Sequence, residues 1–166
     1  MNLDTFRTPR LFAERLTAAH LDEIRRMHLD ATVMHYLGGV RTEEQTQEYL
    51  RKNLEHWERY GFGLYIVHTA ARDAVVGRAV VRHLDLDGTP EVEIGYALYP
   101  EWWGQGLATE IANKCLDIGR SQLGFESLVA VTQAENRASR HVLEKCGMEY
   151  ERDRNEWVIY RTKRRT

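Results

Sequence analysis

The sequence implies an α+β chain, with a mixed central sheet of about seven strands flanked by about four helices in the order βααβββαβαββ. Three observations carry this reading. Helical periodicity holds in two early segments, then yields to two-residue alternation between positions 64 and 98, and after that helix and strand alternate. Turn signatures rather than linkers separate the segments. No internal repeat is present, so residues 1–166 are read as one domain.

Residues 10–16 alternate as a first strand. Thr17 is placed to cap a helix whose apolar stripe is Leu21, Ile24, Met27 and His28. A Gly38-Gly39 turn follows, and Thr42-Glu43-Glu44-Gln45 is a capping box. The helix it opens carries Tyr49, Leu50, Leu54 and Trp57 and stops before Gly61. Residues 64–67, 75–81 and 92–98 form consecutive strands joined by turns at Arg72-Asp73 and Asp87-Gly88. A helix begins after Trp103-Gly104-Gln105-Gly106, with Leu107, Ile111, Cys115 and Ile118 on one face and Gly124 at its end. Residues 128–131 are a continuous apolar run, hence a buried strand. Asn136 opens a last helix that Gly147 ends, and strands at 149–152 and 156–161 close the chain.

Composition narrows the function classes. Hydrophobic residues make up 43% and charged residues 29%, a globular profile that excludes a low-complexity chain. A net charge of −2 provides no global basic field, so no nucleic-acid partner is expected. The basic run Arg161-Thr162-Lys163-Arg164-Arg165 reads as a solvated end. Cys115 and Cys146 lack CxxC spacing, so neither a disulfide framework nor a zinc site is expected, and no metal is called. The longest charge-free run, residues 60–71, falls short of the roughly 20 apolar residues of a spanning helix. No leader pattern stands at the N-terminus, and the expectation is a cytoplasmic protein with no membrane partner, monomer or homodimer.

Two stretches carry chemistry. In Trp103-Gly104-Gln105-Gly106-Leu107-Ala108-Thr109-Glu110 a strand runs through glycines into a helix start. The unpaired N–H groups and positive dipole end suit a phosphate there. Thr109 stands where a dinucleotide fingerprint needs its third glycine, and no Gly-Lys-Ser/Thr exists for a triphosphate with Mg²⁺. The anion therefore belongs to a metal-free ligand. In the second stretch Asn136 is an N-cap, and Ser139 shares a helix face with Leu143.

With Glu93-Ile94-Gly95-Tyr96, these two stretches resemble the GCN5-related N-acetyltransferase (GNAT) superfamily, and within it the RimJ/RimL type. The resemblance runs from Thr8-Pro9-Arg10-Leu11 almost to the C-terminus. It implies acetyl-CoA as co-substrate. Its pyrophosphate would lie on Trp103, Gly104, Gln105, Gly106, Leu107, Ala108 and Thr109, with Asn136 nearby and the pantetheine arm beside the backbone of Ala97 and Leu98. The strand holding Gly95 would splay from residues 128–132, Gly95 fitting a bulge or a close approach.

The implied reaction is direct attack of a primary amine on the thioester. The amine must lose a proton first, because its ordinary pKa lies near 10. Glu93 is the candidate base, with Glu91, Glu151 and Glu156 as rivals. Leu143 stands where many GNAT enzymes have a tyrosine, so Ser139 is the candidate donor to, or hydrogen-bond partner of, the departing sulfur. A backbone N–H near Ala97 or Leu98 would hold the oxyanion. His35, Tyr36 and Trp57 are candidates for the amine pocket, with the hydrophobic core as the commoner place for aromatics at such spacing. The RimJ/RimL resemblance points to a protein N-terminal α-amine as acceptor; a polyamine or aminoglycoside, and a non-catalytic acyl-CoA sensor, are the alternatives.

Overall fold

Helix and strand patterning resolves into a single sheet in the computed structural model, which describes residues 1–164. Its strands are β1 (Thr5–Arg7), β2 (Leu11–Arg15), β3 (Leu64–Thr69), β4 (Val75–Leu86), β5 (Thr89–Leu98), β6 (Val129–Gln133), β7 (Met148–Arg154) and β8 (Trp157–Thr162). They lie side by side in the order β1-β2-β3-β4-β5-β6-β8-β7. Neighbours are antiparallel except β5 and β6, which run parallel. The helices are α1 (Leu21–Leu29), α2 (Ala31–Met34), α3 (Glu43–Tyr60), α4 (Leu107–Asp117) and α5 (Arg137–Lys145).

The α+β order is as expected, with two additions. An eighth strand, β1, is three residues long, too short to display alternation, and exists by pairing Phe6 with Ala13 across the Thr8-Pro9 turn. The extra helix α2 is one turn, capped by Asp30, whose side chain accepts from the N–H groups of Thr32 and Val33 at 3.0 and 3.1 Å. Thr17 caps a 3₁₀ turn (Ala18–His20) that leads into α1 rather than α1 itself. Beyond Asp117, α4 loosens into a π-type turn, Ile118–Gln122. Arg161 is not part of a solvated tail. It sits in β8, paired with Glu91 and Glu151, while Arg165 lies outside the described residues.

Local sequence explains the elements that position the site. The Thr42–Gln45 box forms as expected, with Oγ1 of Thr42 accepting from the Gln45 N–H at 3.2 Å. Gly61, at φ 73°, ends α3. Asp87 and Gly88, with φ 54° and 84°, make the two-residue turn that sets the β4–β5 register. Counting outward from it places Arg82 opposite Glu93, Val80 opposite Gly95 and Arg78 opposite Ala97. That register runs unbroken through Gly95, so no bulge lies there; a Cβ on Gly95 would meet Val80 Cγ1 at 3.0 Å.

The sheet buries two faces. Val92, Ile94 and Leu98 belong to the core that includes Leu107, Ile111 and Cys115 of α4. Ala97, on the other face, packs with Met27, Val33 and Met34 under α1 and α2. Each Val, Leu, Ile or Met among them contributes about 1.5–3 kcal/mol by burial.

Candidate active site

Parallel strands β5 and β6 share one register pair, Glu93 with Val129. Past that pair they separate, and a cleft of about 820 Å³ opens between them. One consequence follows from alternation along β5. The Tyr99 N–H donates to the Val76 carbonyl of β4 at 2.9 Å, so the backbone of Ala97 also faces β4, opposite Arg78. The groups facing the gap are those of Tyr96 and Leu98. The Ala97 expectation is corrected accordingly: its side chain lines the cleft, but its N–H is turned to the neighbouring strand. The Leu98 carbonyl already accepts from the Trp103 indole at 2.9 Å.

At one end of the cleft the glycine loop does what its composition suggests. Gly104 and Gly106 have φ 71° and 78°, a region that L side chains enter only with strain. The first α4 bond runs from the Glu110 N–H to the Gly106 carbonyl at 3.1 Å. The N–H groups of Leu107, Ala108 and Thr109 are therefore left without intrahelical partners at the positive end of the helix. Trp103, Gly104, Gly106, Leu107, Ala108 and Thr109 all line the cleft. Gln105 does not; its side chain turns back to the Glu101 carbonyl at 3.0 Å. Arg10 braces the loop, donating to the Gln105 carbonyl at 2.7 Å and to Glu110 at 2.8 Å. Burial opposes the charge on Glu110, yet hydrogen bonds from Thr8 and Arg10 hold its carboxyl below the usual range. These free donors and glycines fit a pyrophosphate.

On the α4–α5 side, Asn136 caps α5 by accepting from the Ser139 N–H at 3.1 Å. The Ser139 hydroxyl lies 3.0 Å from the Tyr96 hydroxyl, and Asn136, Ser139 and Tyr96 line the cleft. Burial pushes the Tyr96 phenol up to about 12, so it is a neutral hydrogen-bond partner for Ser139 near neutral pH. Leu143, one turn further along, is buried.

The opposite face of the cleft holds the carboxylate. Glu93 is buried, and its Oε1 accepts from Arg82 Nε at 2.6 Å. Arg82 reaches Asn53 Oδ1 at 3.3 Å, and Asn53 donates in turn to the Tyr49 carbonyl at 2.8 Å. Among the described residues none hydrogen-bonds Glu93 Oε2, which leaves it for an amine or a bridging water. Glu91 and Glu151 are both tied to Arg161, Glu156 is exposed in the β7–β8 turn, and none of the three lines the cleft. His35 and Tyr36 do line it, their rings edge to face at 4.5 Å. Trp57 does not. It is 1% exposed, its indole donates to the Leu64 carbonyl at 2.8 Å, and it belongs to the core beside Tyr65.

Sequence reasoning missed Arg78 and Arg82. Both were accessible, because the Asp87-Gly88 turn fixes which β4 residues face Glu93 and Ala97. Behind them lies His28, fully buried, with Nδ1 2.8 Å from Thr46 Oγ1 and no partner on Nε2 among the described residues. Burial, aided by the charges of Arg41 and Arg78, pushes this imidazole down to about 4. The unfolded chain takes up the proton near 6.5, so between about 6.5 and 4 it binds more protons than the native state. Stability is expected to fall across that window by up to about 3 kcal/mol on this account. Urea unfolding at pH 7 and pH 4.5 should show a smaller acid loss in His28→Asn than in the parent chain.

Comparison with known proteins agrees with this geometry. Residues 10–149 match the acetyltransferase (GNAT) domain family, and the chain belongs to it. It is an acyltransferase of the acetyl-CoA-dependent kind. An uncharacterized protein of Bacillus subtilis (strain 168), YkkB, is 31% identical over 128 residues, 77% of this chain and 74% of the relative. The acetyltransferase from Agrobacterium tumefaciens str. C58 superposes with a TM-score of 0.87 at 26% identity, over 99% of this chain and 96% of that one. RimL, a ribosomal L7/L12 alpha-N-protein acetyltransferase solved with coenzyme A, has a TM-score of 0.72 at 16% identity, over 93% and 94%. That last likeness shows the shared fold.

Proposed function

We propose that residues 1–166 act as one N-acetyltransferase domain that moves the acetyl group of acetyl-CoA to a primary amine in the cytoplasm. The observation that carries this reading is the cleft. It joins the helix end with free N–H groups to a split between β5 and β6, with Glu93 on one face and Ser139 on the other. The bound co-substrate supplies the reactive thioester. Gly104, Gly106 and the N–H groups of Leu107 to Thr109 hold its diphosphate, and the Leu98 backbone N–H, directed into the gap, offers a hydrogen bond to the acetyl oxygen.

Glu93 Oε2 takes the proton of the incoming amine, directly or through one water, while Arg82 fixes the carboxylate. The Ser139 hydroxyl, oriented by Tyr96, donates to the sulfur as it departs. A thiol needs little help to leave, so Ser139→Ala should reduce kcat by about tenfold or less. Steady-state thiol release measures this, and an unchanged kcat removes Ser139 from the chemistry. The RimJ/RimL resemblance of the motifs favours a protein N-terminal α-amine as acceptor. Free-thiol release from acetyl-CoA across peptides, polyamines and aminoglycosides tests the whole reading: acetyl-CoA bound, with no amine ever acetylated, would make the chain a sensor.

A further inference from the structure

The acceptor side of the cleft is positively charged. Arg78 and Arg82 line it from one face of β4, on either side of Val80, and Arg41 approaches from the segment before α3. The carboxylate lining this side is Glu93, and it is engaged by Arg82. Arg78 has neither an ion-pair nor a hydrogen-bond partner among the described residues; its guanidinium sits over the Tyr49 ring, 5.0 Å from the centroid. Arg41 packs on the same ring at 4.9 Å. Burial, with Arg82 and Arg41 adding like charge and Glu93 opposing, pushes Arg78 down to about 9, which still leaves it charged at neutral pH.

The one lining carboxylate is thus taken by Arg82, and neither Arg78 nor Arg41 has an ion-pair partner among the described residues. Arg78 is half-buried and lines the cleft, so its unpaired guanidinium N–H groups are open to an anionic ligand, which they would hold by charge-assisted hydrogen bonds. Arg78 lies opposite Ala97, four residues along β5 from Glu93 and toward the open end of the split. An acceptor whose amine meets Glu93 would therefore extend past Arg78.

Resting on the acetyl-transfer reading above, we infer that the acceptor is a primary amine that also carries an anionic group, a carboxylate or a phosphate, which pairs with Arg78. A polycation is a poor fit, since it would bring further positive charge against Arg78 and Arg41. The alternatives within the class are an amino acid, an amino phosphate and a protein N-terminus followed by an acidic side chain.

Matched acceptors test this. Each pair keeps the amine and changes the anion: an α-amino acid against its amide, phosphoethanolamine against ethanolamine, and a peptide with Asp at its second position against the Asn peptide. Spermidine is the cationic control. The wild-type protein should favour the anionic member of at least one pair by about ten- to a hundredfold in kcat/KM, as a charge-assisted hydrogen bond allows. Which pair responds distinguishes carboxylate from phosphate. Arg78→Gln should bring that ratio close to one, and Arg78→Lys should keep part of it, with thermal unfolding confirming that both variants fold.

The wild-type ratio alone is decisive if a variant does not fold. Thiol release with no anionic preference, or with spermidine preferred, overturns this inference alone, as does a preference that survives Arg78→Gln. No release from any amine while acetyl-CoA binds overturns the acetyl-transfer reading, and this inference with it.

Discussion

Glu93→Gln is expected to lower kcat by about a hundredfold or more, the range in which a positioned general base contributes. The glutamine retains an oxygen for Arg82 Nε while losing the charge, so the local packing around Arg82 and Asn53 survives. On the proposed reading acetyl-CoA lies along the other reaches of the cleft, so its Kd should change by less than about twofold, well under the tenfold that 1.4 kcal/mol represents. The loss should be deepest at low pH, where the acceptor amine is protonated and removal of its proton limits the rate. As pH rises and free amine accumulates, the variant should approach the parent. A kcat/KM profile against pH that overlays the parent curve would assign the base to another group.

Gly106→Val should abolish most acetyl-CoA binding, with a Kd raised by at least about tenfold, the effect of 1.4 kcal/mol. Gly106 occupies the N-cap of α4 at φ 78°, where a β-branched residue is strained by about 1–3 kcal/mol. A Cβ there would come within 3.4 Å of Arg10, whose guanidinium braces the loop. The backbone can relieve the strain only by rotating, and rotation withdraws the N–H groups that follow. Calorimetric titration and the thermal shift produced by acetyl-CoA both measure the result. An unaltered Kd would move the diphosphate site off this loop.

Short-range features of the site could be read directly from the chain. The Thr42 box, the Asn136–Ser139 cap and the glycines before α4 are each defined within a few residues, and their local geometry needs no distant partner. Strand β1 could not be read this way, because three residues carry no period and only pairing with β2 makes them a strand. Trp57, a candidate for either pocket or core, stayed undecided for a related reason. An aromatic on an amphipathic helix fits a pocket wall and a core equally well, and only the Leu64 carbonyl decides between them. The Tyr96–Ser139 contact joins residues 43 apart through the packing of β5 against α5, which no periodicity displays. Glu93 could be offered as a candidate from the sequence, yet its fastening to Arg82 needs the hairpin counted through. Ala97 was assigned a backbone role that strand alternation gives to its neighbours instead.

The lone Glu93–Val129 rung has a mechanical meaning. Strands β1 to β5 and the trio β6, β8 and β7 are two blades whose strands pair only at that rung, with the shared core, α4, α5 and the Arg161–Glu91 and Arg154–Asp87 ion pairs as further ties. A molecule wedged between the blades would add cross-ties where the two strands part. Amide hydrogen exchange in β6 and β8 should then slow on adding acetyl-CoA, though most of those amides lie away from the ligand, while exchange in β1 and β2 stays as it was.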